Sequence, residues 1–371
     1  MLKNKKFIII LIIVLLILAI TTIVYFVWFK KMPETSIEDK PIQKLTDEKI
    51  MGAKFLSESN KIRFLSLDSF TLKELDLNSK QIIELTKTPL YLVKNIIWSP
   101  DSQKVILKVE NNRALLSQEG YLLDKKAADG TITTWSFDLS SNNLIELPLE
   151  VGEVGWLNND KIIYYYSKEL AESDSNDNNA FLTQANYDGS NYQKIMDLDG
   201  NKLYNPKLSL SPDKDKIILS PEAEGIGNNS IFIVDIKTKT INEISEDGLT
   251  VLGSWSEGGK NIFLYQTNQE SPDSQIYELW FANKEGVDKK KLGLSTAYPL
   301  VITDNKDKNI YLVSTYNNRP AVFQVNSGSL EKKIIAGADN ESTLNNITQI
   351  GLLNNNIFIV ADEIIYSIKT E

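Results

Sequence analysis

The stretch Trp98-Ser-Pro-Asp-Ser-Gln-Lys-Val105 decides the fold, because variants of it recur along the whole chain. Each copy has a bulky apolar residue, a polar turn and a β-branched residue that opens an aliphatic run. The other copies lie at 55–62, 156–162, 210–217, 255–262, 302–310 and 352–357. Their closing residues are spaced by 43, 57, 55, 45, 48 and 47 positions. Repeats of this length with several short strands each predict an all-β, seven-bladed β-propeller, with six or eight blades as alternatives.

The repeat also predicts where each blade begins and ends. The predicted blade spans are 51–90, 94–150, 151–201, 205–248, 250–296, 298–340 and 346–369. The last copy ends before a fourth strand, whereas residues 41–47 precede the first blade and resemble an outermost strand. We therefore predict that residues 42–46 pair with 364–368 and complete the seventh blade, which removes an open edge from the ring.

Small residues stand just before the bulky residue in five of the copies. They are Ala53, Gly155, Ser209, Gly253 with Ser254, and Gly351. Because inner strands crowd around a propeller axis, we expect these positions to lie where neighbouring blades approach most closely. The alternative is that they mark strand edges only.

Two copies carry a recognisable motif. Trp98 to Leu107 and Leu210 to Leu219 resemble the signature of TolB-like propellers, whose repeats are also called WD40-like or PD40. Asn186-Tyr-Asp-Gly-Ser-Asn191, followed by Lys194-Ile195, is similar to a hairpin of the same superfamily. The resemblance covers about residues 41–369 and implies a propeller that binds protein partners in the cell envelope. As a likeness of fold it does not identify a ligand.

The sequence of the N-terminal segment predicts a membrane anchor. Residues 7–29 form a run of 23 without a charge, which is long enough to span a bilayer as a helix. The alternative is a cleaved signal peptide, whose apolar region is normally shorter. Lys3, Lys5 and Lys6 place the tail, residues 1–6, in the cytoplasm. We therefore expect a single-pass cell-membrane protein with a linker at 30–40 and an extracytoplasmic propeller at 41–371.

Composition excludes several function classes. The first 31 residues carry five lysines and no acid, so the remainder holds 35 basic and 49 acidic residues, which argues against nucleic-acid binding. Histidine and cysteine are both absent, which removes the usual catalytic triads and soft metal sites. Residues 174–185 resemble a calcium loop but have Asn179 and Ala185 where glycine and an acid are needed. We predict no catalytic residue, no cofactor and no metal ligand.

The remaining candidate residues fall into two groups. Asp101 and Asp213 recur with the repeat, so we expect them to form hydrogen bonds in turns. Insertions at 111–130 and 168–179 lengthen two repeats, and such insertions often build binding surfaces. The candidate binding residues in such connections are Arg113, Tyr121, Tyr316 and Arg319. Strand aromatics, namely Trp135, Tyr164 to Tyr166 and Trp280, either pack between blades or line a sugar or peptide surface.

The sequence thus favours a non-catalytic binding scaffold whose ligand is a protein partner. A peptide and a glycan are the other possible ligand classes. The alternative is a glycan hydrolase or lyase that uses carboxylates at the central mouth. Acids clustered in a deep axial pocket favour the enzyme, whereas a flat surface built from loops favours the binding protein.

Overall fold

The computed structural model describes residues 35–112, 130–170, 180–198, 203, 206–220, 230–245, 250–267, 276–337 and 344–370. Within these ranges the chain forms seven sheets, each of which contains the four antiparallel strands of one propeller blade. No helix in the described ranges is long and apolar enough to cross a membrane. The transmembrane helix predicted over residues 7–29 lies outside these ranges.

Every blade has four strands, numbered here in chain order. The innermost strands are β3 (Ile50–Leu56), β7 (Val93–Trp98), β11 (Val151–Trp156), β15 (Lys207–Leu210), β19 (Thr250–Trp255), β23 (Val301–Thr303) and β27 (Ile347–Leu353). The second strands are β4 (Lys61–Ser66), β8 (Lys104–Glu110), β12 (Lys161–Ser167), β16 (Lys216–Ser220), β20 (Asn261–Thr267), β24 (Asn309–Tyr316) and β28 (Asn356–Ala361).

The outer half of each blade is a second hairpin. The third strands are β5 (Leu72–Asp76), β9 (Ile132–Asp138), β13 (Ala180–Asn186), β17 (Phe232–Asp235), β21 (Tyr277–Asn283), β25 (Arg319–Asn326) and β29 (Ile364–Lys369). The outermost strands are β6 (Ile82–Glu84), β10 (Asn143–Glu146), β14 (Gln193–Asp197), β18 (Thr240–Glu243), β22 (Lys290–Thr296), β26 (Lys332–Ala336) and β2 (Ile42–Lys44). A 3-10 turn at Lys168–Leu170 follows β12.

The two ends of the described chain meet in the seventh blade. Strand β2 pairs antiparallel with β29, with Ile42 opposite Ile368, and the Leu45 amide donates to the Ile365 carbonyl at 2.8 Å. The predicted closure of the ring is therefore present. Within the span predicted as a linker, β1 (Ser36–Ile37) adds to the outer edge of the sixth blade, parallel to β26. The chain thus adds a strand to the outer edge of the sixth blade and then to that of the seventh before it enters the first blade.

The buried apolar side chains form seven clusters among the described residues, and each cluster lies between two adjacent blades. The second strands explain this arrangement, because alternate side chains of a strand point to opposite faces. Val105 and Leu107 of β8 pack towards the first blade, whereas Ile106 packs towards the third. Apolar residues are therefore needed on both faces, as the continuous aliphatic runs in the sequence predict.

Inner strands do crowd where the small residues stand. A Cβ atom on Gly351 would lie 2.1 Å from Cε2 of Phe55 in the first blade, which no side chain can accommodate. The closest approach comes at Gly52, one position before the Ala53 of the repeat pattern. A Cβ there would lie 1.6 Å from Cγ2 of Ile96, and the φ of Gly52 is +61°. Close contact between blades thus requires glycine at these positions.

Candidate functional site at the mouth of the propeller

The turns between the first and second strands of all blades emerge at the same end of the axis, because the innermost strands are all first in their blades. We call the axial opening at this end the mouth. Two adjoining cavities of about 620 and 570 Å³ occupy it, and Lys54 and Glu257 line both. The mouth is thus a divided hollow whose middle is built from charged side chains.

Three charged side chains from three blades converge in the mouth. Lys54 lies on β3, Lys214 in the turn after β15, and Glu257 in the turn after β19. Lys214 adopts a φ of +64°, a left-handed conformation that tight turns impose. Within the described ranges, no hydrogen bond or ion pair shorter than 4 Å engages any of these three side-chain termini. Their charged groups therefore face the cavity space.

The protonation of Lys214 and Glu257 is shifted by this position. Burial and the neighbouring ammonium of Lys54 lower the pKa of Lys214, and the carboxylates of Asp213 and Glu257 oppose the shift only in part. The side chain of Glu257 reaches solvent, but the surrounding protein reduces its hydration enough to raise its pKa, although Lys54 attracts the charged form. Both groups are therefore easier to neutralise than ordinary lysine and glutamate side chains.

Carboxylates do not cluster in the described part of the mouth. Besides Glu257, the acid that lines it is Asp304, which accepts hydrogen bonds from the Lys308 amide at 2.8 Å and the Asn309 side chain at 2.9 Å. Asp304 thus serves its own turn. Among the described residues, no group of three or more histidine, cysteine, aspartate or glutamate side chains is placed to hold a metal ion.

The turn that carries Glu257 is hydrogen-bonded to a carboxylate of the next blade, which we call the borrowed carboxylate. The buried side chain of Asp307 accepts from the Ser256 hydroxyl at 2.8 Å, the Gly258 amide at 2.9 Å and the Thr303 hydroxyl at 2.7 Å. A Cβ on Gly258 would lie 2.7 Å from the Asp307 carboxylate, so glycine is what permits this approach. The contact holds the backbone on both sides of Glu257.

The turns of the second and fourth blades instead use their own aspartates, as the sequence predicts. Asp101 accepts from the Ser99 hydroxyl at 2.6 Å, and Asp213 accepts from the Ser211 hydroxyl at 2.6 Å. The fifth blade has Glu257-Gly258 where those copies have Pro-Asp, so its Ser256 has no aspartate of its own. The missing aspartate in this copy of the motif is the sequence signal that another residue must accept the hydrogen bond of the Ser256 hydroxyl. The sequence alone does not say that this residue is Asp307.

The recurrent tryptophans join adjacent blades. The indole N–H groups donate to carbonyl oxygens of the preceding inner strand: Trp98 to Gly52 at 2.7 Å, Trp156 to Ile97 at 3.0 Å, and Trp255 to Ser209 at 2.9 Å. These rings also line the mouth. Trp135, Tyr164 and Tyr165 are buried, which confirms packing as the role of those strand aromatics.

Two of the four binding residues predicted from the sequence, Tyr316 and Arg319, lie away from the mouth. Tyr316 and Arg319 face each other across the β24–β25 turn, which leaves the blade at the end opposite the mouth. Tyr316 is half-buried against the cluster between the fifth and sixth blades, and Arg319 is exposed. Arg113 and Tyr121 fall in 113–129, outside the described residues. Their role in binding stays a prediction.

The fold resembles several solved propellers. An oligogalacturonate lyase in complex with manganese matches with a TM-score of 0.61 and 12% identity over 91% of this chain and 95% of that chain. The β-propeller domain of the Trilobed protease from Pyrococcus furiosus, which has an open velcro topology, matches with a TM-score of 0.52 and 13% identity over 89% and 97%. These matches show the fold alone.

A TolB from Acinetobacter baumannii also matches, with a TM-score of 0.45 and 12% identity over 77% of this chain and 62% of that chain, which is too weak to support an argument. Neither a protein-family model nor a curated protein sequence matches the chain significantly. The matched structures do not separate a binding scaffold from an enzyme.

Proposed function

We propose that this protein is a non-catalytic binding propeller that residues 7–29 anchor in a bacterial cell membrane and that binds a protein partner at its mouth on the extracytoplasmic side. The observation that carries the proposal is the convergence of Lys54, Lys214 and Glu257, whose charged groups make no hydrogen bond or close ion pair within the described ranges. Holding two ammonium groups and one carboxylate in a partly dehydrated place without hydrogen bonds costs stability, although Glu257 offsets part of the repulsion between the lysines. Ligand recognition gives a physical reason for keeping them there.

The borrowed carboxylate of Asp307 supports the same proposal, that the mouth is a binding site. Its hydrogen bonds fix the turn around Glu257 from two blades, and rigid placement of polar groups before binding reduces the entropy lost on association. The two cavities at this end, of about 620 and 570 Å³, offer room for a partner's loop or chain end.

Site-specific photo-crosslinking in native membranes tests the proposal. A photoreactive residue replaces exposed Asn305, which lines the mouth, and in a matched control it replaces exposed Ile132, near the opposite end of the propeller. We expect a protein adduct from position 305 and none from position 132. An adduct from position 132 alone, or no adduct from either, overturns the assignment of the mouth as the binding site for a protein.

A glycan lyase is the second candidate, and one feature of the mouth favours it. The lowered pKa of Lys214 makes the neutral amine, which is a base, more accessible than in an ordinary lysine. Oligogalacturonate with and without manganese is the substrate to try, because the fold matches an oligogalacturonate lyase over most of both chains. Ultraviolet absorbance of an unsaturated product that Lys214→Met abolishes and Lys237→Met retains would favour this candidate over the binding protein.

A further inference from the structure

We propose that Lys54 and Lys214 form a carboxylate-binding centre on the propeller axis, which receives an acidic side chain from an extended peptide segment of the partner. This inference rests on the proposed function and names the chemistry that the mouth recognises. It assigns the two lysines as the attractive groups and Glu257 as a group that weakens the binding of anions.

The charge distribution carries the argument. The chain as a whole is acidic, with a net charge of −9, yet lysines outnumber free carboxylates in the mouth. Three lysines, Lys54, Lys214 and Lys306, line it against two carboxylates, Glu257 and Asp304, of which Asp304 is hydrogen-bonded within its own turn. The lining thus has a small excess of positive charge, and such an excess within an acidic protein attracts anions, because the surrounding field repels them elsewhere.

The placement of the two ammonium groups strengthens this attraction. Burial and the neighbouring ammonium of Lys54 both reduce the stability of the charge on Lys214, and the pKa of Lys214 is lowered accordingly. A carboxylate between them relieves the repulsion and accepts charge-assisted hydrogen bonds, which are about twice as strong as neutral ones. The free site thus has an unfavourable interaction that an anion removes.

The rest of the lining fits a peptide. Amide side chains of Asn305, Gln349 and Asn354 line the cavity beside Lys54. The amide nitrogen of Gln349 already donates to the Ala53 carbonyl and that of Asn354 to the Asn60 side chain, so the amide oxygens of these two residues are what they offer to a peptide N–H group. On the other side of Lys54, Trp98, Pro100 and Pro212 supply apolar wall. A peptide with an acidic residue between small or apolar residues matches this arrangement, in which the lysines lie between an amide-lined cavity and an apolar wall.

Fluorescence anisotropy tests the inference with the full-length protein in detergent. The probes are a labelled peptide of alternating glutamate and glycine, the same peptide with glutamine for glutamate, and labelled oligogalacturonate. We expect the glutamate peptide to bind in preference to both others. Preferential binding of oligogalacturonate overturns the assignment to a peptide, and equal binding of the glutamate and glutamine peptides overturns the carboxylate-binding centre.

Substitutions locate the binding. Lys54→Met and Lys214→Met should each weaken binding of the glutamate peptide about tenfold, equivalent to about 1.4 kcal/mol. Lys237→Met is the matched control, because this exposed lysine lies in an outer turn of the same blade as Lys214. Glu257→Gln should strengthen binding. If Lys54→Met and Lys214→Met bind as the wild type does, the assignment of these lysines fails.

The pH dependence gives a second readout. Burial and the neighbouring Lys54 lower the pKa of Lys214, whereas Asp213 and Glu257 oppose the shift, so the ammonium is lost at a pH below the usual lysine range. Affinity should therefore fall as the pH rises through that lowered value, and Lys214→Arg should retain affinity to higher pH. Identical pH profiles for the two proteins contradict the role of Lys214.

The two proposals fail separately. If the photo-crosslink forms at position 305 but the lysine variants bind the glutamate peptide normally, the mouth remains the binding site and the carboxylate-binding centre is wrong. If no crosslink forms at position 305, the mouth is not the protein-binding site, whatever the peptide measurements show.

Discussion

Asp307 shows how much a single buried side chain decides in this fold. Its carboxylate is 4% exposed and accepts hydrogen bonds from two turns that belong to different blades. The same atoms hold the backbone next to Glu257, one of the three charged groups of the mouth. A residue that the repeat pattern treats as an ordinary turn position therefore supports the candidate site.

Gly258→Ala tests this contact. The added methyl group would stand 2.7 Å from the Asp307 carboxylate, so the carboxylate must move and leave buried donors unpaired. We expect a loss of about 1–3 kcal/mol in the free energy of unfolding, measured by urea denaturation.

Gly328→Ala is the control for that substitution. A Cβ at this exposed glycine would approach no atom closer than 3.4 Å, and its φ is not positive. Its stability should stay within about 0.5 kcal/mol of the wild type. Equal stabilities for the two alanine variants would show that the Asp307 contact contributes little.

At the scale of elements, the strand that closes the ring comes from far away in sequence. Strand β2 pairs with β29, Ile42 packs against the cluster between the sixth and seventh blades, and the buried Thr46 hydroxyl contacts the Ile365 amide. Without β2 the seventh blade would expose the edge of β29. An exposed edge loses backbone hydrogen bonds and invites association with other chains.

Deletion of residues 40–47 should therefore lower the thermal midpoint by several degrees. The reason is the loss of the β2 pairing together with the partial burial of Ile42, whose full burial would contribute about 1.5–3 kcal/mol. Deletion of 35–39 is the matched control, because it removes only β1 from a blade that already has four strands. Calorimetry on both variants measures the difference. Equal midpoints for the first deletion and the wild type would contradict a stabilising role for closure.

At the scale of the whole molecule, the described residues have no single central core. Each of the seven apolar clusters belongs to two blades, and the cluster with Ile62, Phe64 and Phe358 joins the first blade to the last. Every blade is therefore held by both neighbours. A closed ring of this kind has no terminal unit from which unfolding can start.

This arrangement predicts one cooperative transition. Ile106→Ala creates a cavity between the second and third blades and should cost about 2–4 kcal/mol. We expect tryptophan fluorescence and far-ultraviolet circular dichroism to report the same lowered urea midpoint. Ile83→Ala, on a half-exposed outer-strand side chain, is the control and should change little. Separate transitions by the two probes would show that blades unfold independently.

The sequence by itself predicted seven blades, with six or eight as alternatives, and the closure of the ring. The reason is that both depend on local patterns: a repeated apolar residue and turn, a two-residue alternation in each strand, and a last copy that lacks one strand. Asp101 and Asp213 were predictable as turn residues for the same reason, since their partners lie two residues before them.

Only the tertiary structure decided the candidate site. Lys54, Lys214 and Glu257 are about 160 and 43 residues apart along the chain, as their positions show, and no motif marks them. They meet because the inner strands of different blades, and the turns that follow them, converge on one axis, and that convergence depends on how the blades pack around the ring. The same holds for Asp307 and Gly258. Local patterns encode strands and turns, whereas a site shared between blades exists only once the ring has closed.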